Sequence, residues 1–393
     1  MIVNQRVNSF AMFQRNILPL LFLICTFFVV SCELKEDSDI EVPEKWEKVR
    51  GFEEGLFDAR EIDGKLYTAS WTRIYPDASI QGPNNFVDLS PFLRAMFPYK
   101  LPITDKLIAV VNPTQLTILP SDDPKPENAL VMNMKDIDPD FLEFHFSINA
   151  GDDKIAILSD GSIIVPYRSR FDDRINNTPD FLLVKTAVDG GRVVLLETKL
   201  IKDEYFDRSV TIYNMKAFGS FTRVAIGDKT FDIDPAGNME LRFEEISKSV
   251  EVDGEIFAFA MTSPYENPQI HVYKSDLTGK NNQLIATYDS SNISLSDNLV
   301  LSQITGNLYS VNGVILVQSA WWIYKLSMDG QQLVLTRLEN NGLENSDITS
   351  ITLLGDSKVF VTAVCHNNEV FYNCGGFIKS LDNFFNPLES NPR

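Results

Sequence analysis

Val311-Asn312-Gly313-Val314-Ile315-Leu316-Val317, followed by Tyr324-Lys325-Leu326-Ser327-Met328-Asp329-Gly330, carries two turns in twenty residues. Asn-Gly between apolar runs supplies the positive-φ pair that joins two antiparallel strands tightly. The second half reads as an apolar strand, a polar residue, then Gly five positions on, which is a second hairpin. Four short strands are therefore encoded in one stretch.

The same two-hairpin order recurs in both directions. Tight turns stand at Ile62-Asp63-Gly64-Lys65, Leu158-Ser159-Asp160-Gly161 and Val252-Asp253-Gly254-Glu255. The second hairpin reads Val184-Lys185 to Gly190, Phe231-Asp232 to Gly237, Tyr273-Lys274 to Gly279 and Tyr324-Lys325 to Gly330, and Ile378-Lys379 opens a fifth copy. The polar positions lie 47, 42, 51 and 54 residues apart. Beyond residue 45 there is no long helical pattern, only runs of Val, Ile, Phe and Tyr between Asp, Asn, Gly and Pro. Four short strands per unit of about fifty residues predict an all-β chain folded as a β-propeller of four-stranded antiparallel blades. Two further units, one from Phe52 to about Leu89 and one from Leu101 to Met134, bring the expected number to seven, with six or eight as neighbouring alternatives. A segment around Trp46 to Phe57 is expected to close the ring by pairing with the last blade, since closure removes exposed edges.

Composition agrees. The chain has 393 residues, 44% apolar and 23% charged, with a net charge of −19. That excludes wholesale disorder, and it argues against nucleic acid or an anionic membrane surface as the main partner. The N-terminus differs from the rest. Arg6 and Arg15 precede an apolar run from Ile17 to Val30, too short to span a bilayer and suited to a signal-peptide core. The run ends in Val29-Val30-Ser31-Cys32, which resembles the bacterial lipobox, and the resemblance implies that Cys32 is lipidated. The acidic stretch after Lys35 resembles the surface-export signal of Bacteroidota lipoproteins. The reading divides the chain into a signal peptide (1–31), a lipidated tether (32–45) and the propeller (46–393), anchored to the outer membrane by lipid and exposed at the surface, with a periplasmic location as the alternative. Removing residues 1–31 takes two positive charges and no acid, so the remainder carries −21. Cys365 and Cys374 are then most simply a disulfide across a loop of the last blade.

The last unit, Phe377-Ile378-Lys379-Ser380-Leu381-Asp382-Asn383-Phe384, resembles the Asp-box hairpin of sialidase-like propellers, although Phe384 stands where that hairpin has Gly and no Trp follows. The resemblance implies a propeller and not a sialidase. The whole is similar to the propeller lipoproteins of Bacteroidota.

In a blade whose strands run A to D outward from the axis, the B–C and D–A connections share one end, and the A–B and C–D turns share the other. The B–C segments are Ser70-Trp71-Thr72-Arg73, Val111-Asn112-Pro113, Tyr167-Arg168-Ser169-Arg170, Ser263-Pro264-Tyr265-Glu266, Ala320-Trp321-Trp322 and Cys365-His366-Asn367-Asn368. Aromatic and Arg side chains at loop positions on one end suit a binding surface. Trp71, Arg73, Tyr167, Arg168, Arg170, Tyr265, Trp321 and His366 are the candidate ligand contacts. Arg168, Arg170 and Arg174 offer planar forks for a carboxylate or sulfate, or pair with Asp172 and Asp173 in an exposed loop.

Catalysis has less to stand on. No Gly-any-Ser-any-Gly or His-Glu-any-any-His motif occurs, only three His are present, and paired carboxylates cannot be picked out of 54 acids. Asp136, Asp138 and Asp140 begin like a calcium loop, but Phe141 and Ser147 stand where that loop needs Gly and Glu. No cofactor is assigned; calcium could bind at an unlocated site. The function expected is non-catalytic recognition of an extracellular glycan or protein. The alternatives are a polysaccharide-active hydrolase or lyase, and a structural subunit of an envelope complex.

Overall fold

The computed structural model describes residues 44–50, strand segments between 60 and 81, and residues 99–388 apart from 113, 121–124, 141–142, 145–154, 169–180, 202–211, 235, 263–267, 296–303, 305–306, 320–321, 330, 344–345 and 368–369. Cys32 and the expected leader, residues 1–31, lie outside the described residues.

The described strands follow the chain order in seven sheets. A two-residue strand β1 (Glu47–Lys48) comes first and is taken up by the last sheet. The first sheet has β2 (Arg60–Ile62), β3 (Lys65–Tyr67), β4 (Arg73–Ile74) and β5 (Ile80–Gln81). The second has β6 (Tyr99–Pro102), β7 (Leu107–Asn112), β8 (Gln115–Pro120) and β9 (Leu130–Asn133). The third has β10 (Glu143–Phe144) and β11 (Ala156–Ile157), both paired with β12 (Ile163–Arg168), then β13 (Phe181–Asp189) and β14 (Arg192–Ile201). The fourth has β15 (Ile212–Phe218), β16 (Phe221–Ile226), β17 (Lys229–Ile233) and β18 (Met239–Phe243). The fifth has β19 (Ile246–Val252), β20 (Glu255–Met261), β21 (Ile270–Asp276) and β22 (Gln283–Tyr288). The sixth has β23 (Ile293–Leu295), β24 (Leu308–Val311), β25 (Val314–Ser319), β26 (Trp322–Asp329) and β27 (Gln332–Arg337). The last has β28 (Ser346–Leu354), β29 (Lys358–Asn367) and β30 (Val370–Ser380).

This is an all-β propeller of four-stranded antiparallel blades. Six of the sheets are full blades. The first, with strands of only two or three residues, is rudimentary, so the expectation of seven blades is corrected to six, one of the two neighbouring alternatives. Its strands are short because Ser, Pro, Asp and Gly interrupt the apolar runs between Asp63 and Pro83.

The core lies between neighbouring sheets. One layer joins the second and third through Val111, Leu116, Val165 and Val184. Others join the third to the fourth, the fifth to the sixth and the sixth to the last. Val49, Leu66, Phe360 and Ile378 pack the last sheet against the first. Central strands such as β7 are buried along almost their whole length, which is why they read as apolar runs with no clean alternation.

The ring closes as expected. Glu47 pairs with Ile378 and Lys48 with Phe377, so the N-terminal strand is the outermost strand of the last blade. The Trp46 backbone N–H donates to the Asn341 carbonyl at 2.9 Å, and its ring packs edge-on against Phe384 of a short helix α1 (Leu381–Phe384). Glu44, placed by sequence in the tether, accepts hydrogen bonds from Ser380 and Asn383 and so belongs to this closure.

Outer edges are managed in two ways. β14, β18 and β22 each carry one extra residue at equivalent registers, namely Leu196, Arg242 and Ile285. Such bulges twist an edge away from further pairing. β27 runs unbroken, and β23 covers its edge in parallel.

Candidate functional site

Strand order now fixes the two ends. In the fifth blade the Asp253-Gly254 turn links the first two strands, with φ of 51° and 78°, and in the sixth Asn312-Gly313 does the same at 49° and 74°. The C–D turns hold their acids internally. Asp276 accepts from the Thr278 N–H at 2.8 Å, the Thr278 hydroxyl at 2.5 Å and Asn281 Nδ2 at 2.9 Å. These bonds, the Thr278 hydroxyl foremost, hold its carboxyl below the ordinary aspartate range. Asp234 is held the same way by Asn238, and Asp160, in the A–B turn of the third blade at the same end, by Ser162. A small pocket on this end is lined by Lys185, Glu197, Lys199, Asp234 and Gly237. It is lined by charges of both signs, and a Cβ on Gly237 would strike the Glu197 carboxylate.

At the opposite end, each aromatic or Arg-bearing segment singled out in the sequence falls between the second and third strands of its sheet. Arg73 begins β4, and Arg168 ends β12. His366 lies near the end of β29. Trp71, Arg170, Tyr265 and Trp321 lie outside the described residues, as do the side chains of Arg73, Arg168 and His366. The topology thus brings these positions to one end without describing how their side chains meet.

Tyr167 is a correction. It has no exposed surface and belongs to the layer between the second and third sheets. Alternation explains it: in β12 its ring points into the interblade layer beside Val165. Burial pushes its phenol pKa up, so it is a neutral core residue and not a ligand contact.

The disulfide between Cys365 and Cys374 joins β29 to β30 across the B–C hairpin of the last blade, with Cα atoms 5.4 Å apart. Cys374 is the extra residue of a bulge in β30, which re-aims its side chain toward Cys365. The Ser346 hydroxyl lies 3.4 Å from Cys365 Sγ.

Three side-chain pairs at this end escaped the sequence reading. Arg337 ends β27, Trp322 begins β26, and the guanidinium carbon lies 4.2 Å from the ring centroid. In the fifth blade His271 Nδ1 lies 3.3 Å from Glu245 Oε1, and Tyr273 packs beside His271. Burial, and then the Glu245 carboxylate, raise the Tyr273 phenol pKa. Asn307 Nδ2 donates to Gln318 Oε1 at 2.7 Å beneath the sixth blade's connection. The missed signal is strand phase: Arg337 and Trp322 mark the end of a D strand and the start of a C strand, 15 residues apart. Among the described residues no three His, Cys, Asp or Glu side chains gather as a metal site.

No protein-family model matches the chain, and no curated protein matches it significantly. Solved structures are similar to it. The extracellular domain of a protein described as a hybrid two component system from B. thetaiotaomicron is 9% identical, with a TM-score of 0.46 over 85% of this chain and 39% of that one. The β-propeller domain of the Trilobed protease from Pyrococcus furiosus is 12% identical, with a TM-score of 0.41 over 86% of this chain and 99% of that one. One chain of an S. cerevisiae complex containing dbp5 and gle1 is 11% identical, with a TM-score of 0.29 over 56% of this chain. The chain spans about half of that yeast chain, 53% of its length. These likenesses concern the fold alone.

Proposed function

We propose that the chain is an exported, lipid-anchored recognition protein, bound to the outer membrane through Cys32, whose B–C end takes an extracellular glycan or protein without chemical turnover. One observation supports this reading above others: the two ends differ in the residue types that their connections carry. At the C–D end, Asp160, Asp234 and Asp276 are consumed by their own turns. At the B–C end, the connections are rich in Trp, Tyr, Arg and His, residue types that dominate interface energetics.

The test is one experiment in the native host. Envelope fractions carrying wild type, Cys32→Ala, Trp71→Ala or Arg168→Ala are separated and used in glycan and protein pull-downs. Cys32→Ala is expected in the soluble fraction, and the other two are expected to stay anchored and lose their ligand. Retained binding in both Trp71→Ala and Arg168→Ala would remove the B–C end as the binding surface. Unchanged fractionation of Cys32→Ala would remove the anchor.

A further inference from the structure

We propose that the Cys365–Cys374 disulfide is a redox latch: closed, it holds the B–C hairpin of the last blade in a bulged register, and reduced, it lets the hairpin tip slip by one residue. The inference goes beyond the recognition reading and does not depend on it.

From Lys358 opposite Ser380 to Ala363 opposite Gly375, β29 and β30 pair without a break. Continued, that ladder would set Val364 opposite Cys374, Cys365 opposite Asn373 and His366 opposite Tyr372. Instead Cys374 is passed over. Val364 pairs with Asn373, Cys365 with Tyr372 and His366 with Phe371.

Directly opposed residues share a face of the sheet, and successive residues alternate between faces. In the unbroken ladder Cys374 would therefore lie on the Val364 face, away from Cys365. In the bulged ladder both cysteines lie on one face, with Cα atoms 5.4 Å apart, inside the span that a disulfide bridges. Cys374 accordingly packs with Val361 and Ala363 in the layer toward the sixth sheet. The bridge and the bulge require one another, and opening the bridge removes the requirement. The slip restores the interrupted ladder and gives a connection beyond Asn367 of three residues in place of two, both common hairpin lengths. Gly375, at a φ of 92°, and Gly376 adjoin the bulge, so the backbone turns there with no Cβ in the way.

The two sulfurs differ in access. Cys365 is half-buried and Cys374 is buried, so a dithiol reductant attacks Cys365. Its thiolate bonds to Cys365 Sγ, the S–S bond breaks, and Cys374 leaves as a thiolate that takes up a proton. The second thiol of the reductant then displaces the Cys365 thiolate, which is protonated in turn. Two electrons and two protons pass to the protein, and the dithiol becomes a disulfide. The Ser346 hydroxyl, 3.4 Å from Cys365 Sγ and 3.8 Å from Cys374 Sγ, stands beside both departing sulfurs. The outcome is a changed B–C end. The place opposite His366 passes from Phe371 to Tyr372, and residues 370–373 exchange faces.

The test uses the full chain, oxidised and after treatment with dithiothreitol below its melting temperature. Among the described residues β1 reaches only Phe377 and Ile378 of β30, so the amides of residues 370–373 alternate between bonding to β29 and facing outward. Hydrogen exchange followed residue by residue is expected to swap these two sets on reduction, with about tenfold slowing of one and about tenfold quickening of the other. A trap gives a second readout. In Val364→Cys/Cys365→Ser, position 364 stands opposite Cys374 only in the unbroken register, and peptide mapping after mild oxidation should find the two bridged. His366→Cys/Cys365→Ser, whose position 366 is opposite Cys374 in neither register, should stay unbridged. If melting curves show that the trap variant does not fold, exchange in the wild type decides alone. Four results would overturn the proposal: amides that keep their pattern or all quicken together, a trap that stays unbridged, a control that bridges equally, or a disulfide that resists dithiothreitol until the whole chain melts. None of these readouts involves a ligand, so the latch and the recognition reading fail separately.

Discussion

The fourth blade and the seam of the ring bury a cation each, and they do it differently. In the fourth blade Arg223 is 1% exposed and sits directly across the ladder from Asp232. Its Nε and Nη2 donate to the two carboxylate oxygens at 2.7 and 2.9 Å, and Nη1 reaches the Ser249 hydroxyl of the next blade at 3.3 Å. Arg242 adds a third donor to Asp232 at 2.8 Å, and Phe218, Phe221 and Phe243 surround the guanidinium. At the seam Lys379 is just as buried, but its ammonium lies 3.4 Å from the Glu339 carbonyl and 3.9 Å from that residue's carboxylate. The difference lies in the chain. Adjacent strands of one blade set Arg223 and Asp232 in register, nine residues apart, whereas the seam gathers Glu44, Glu339 and Lys379 from both ends of the sequence. Local ladders solvate a buried charge well, and a joint between chain termini does so less completely.

Breaking the stronger side should give the largest effect. Asp232→Ala leaves Arg223 buried without its carboxylate and removes one of the two carboxylate partners of Arg242, the other being Glu240. A buried pair broken on one side costs about 3–5 kcal/mol. Chemical denaturation should show the midpoint falling with no change in slope. A loss below about 1 kcal/mol would mean that water enters and the blade is looser than its burial suggests.

Much of this architecture was legible in the residues, for reasons that mark where reading stops. Asp253-Gly254 and Asn312-Gly313 announce tight turns because few other pairs accept two positive φ values in succession. The closing role of the Trp46 region followed from the edge that an unclosed ring would leave. Arg223 was not legible: one Arg in a strand of alternating residues looks like a solvent-facing position, and only the neighbouring blade makes it core. Tyr167 failed for the same reason, since strand phase next to a loop decides whether a ring faces the interblade layer or the connection. Blade number failed because the first unit has turn residues in the right order but not enough apolar length between them to build full strands. The Trp322–Arg337 pair needed both strand ends to be known at once.

The seam itself can be tested by removing its largest apolar anchor. Trp46 is 5% exposed, its ring packs edge-on against Phe384, and its backbone passes so close to Gly342 that a Cβ there would come within 2.9 Å of the Trp46 carbonyl oxygen. Trp46→Ala should cost about 3 kcal/mol, the lower end for such a truncation, because a two-residue strand can fray into the space left. It should also free the edge of β30, so light scattering is expected to show concentration-dependent association that Asp232→Ala does not. Equal association in the two variants would mean that loss of stability, and not the freed edge, is responsible.

The smallest effect sharpens the contrast because its sign is opposite. Desolvation lowers the Lys379 pKa from its ordinary value of 10.5, and the carboxylates of Glu339 and Glu44 only partly offset this. In the interval between its folded pKa and 10.5 the unfolded chain binds more protons than the folded one, so stability from this group rises with pH there. Below the folded pKa the charged form is a standing cost of the fold. Glu44 behaves conversely: burial raises its pKa, but hydrogen bonds from Ser380 and Asn383 together outweigh burial and leave it depressed, so its contribution is lost as pH falls. Lys379→Met keeps the length of the side chain and removes the charge. It should leave stability unchanged or raise it by about 1 kcal/mol at neutral pH, as apolar replacement of a poorly solvated buried ion does. It should also flatten the rise in melting temperature toward alkaline pH. Arg223→Met, by contrast, should destabilise, because Asp232 would keep only Arg242. If Lys379→Met destabilised the chain as much as Arg223→Met, the seam would solvate its cation as fully as the ladder does, and the distinction between the two regions would fail.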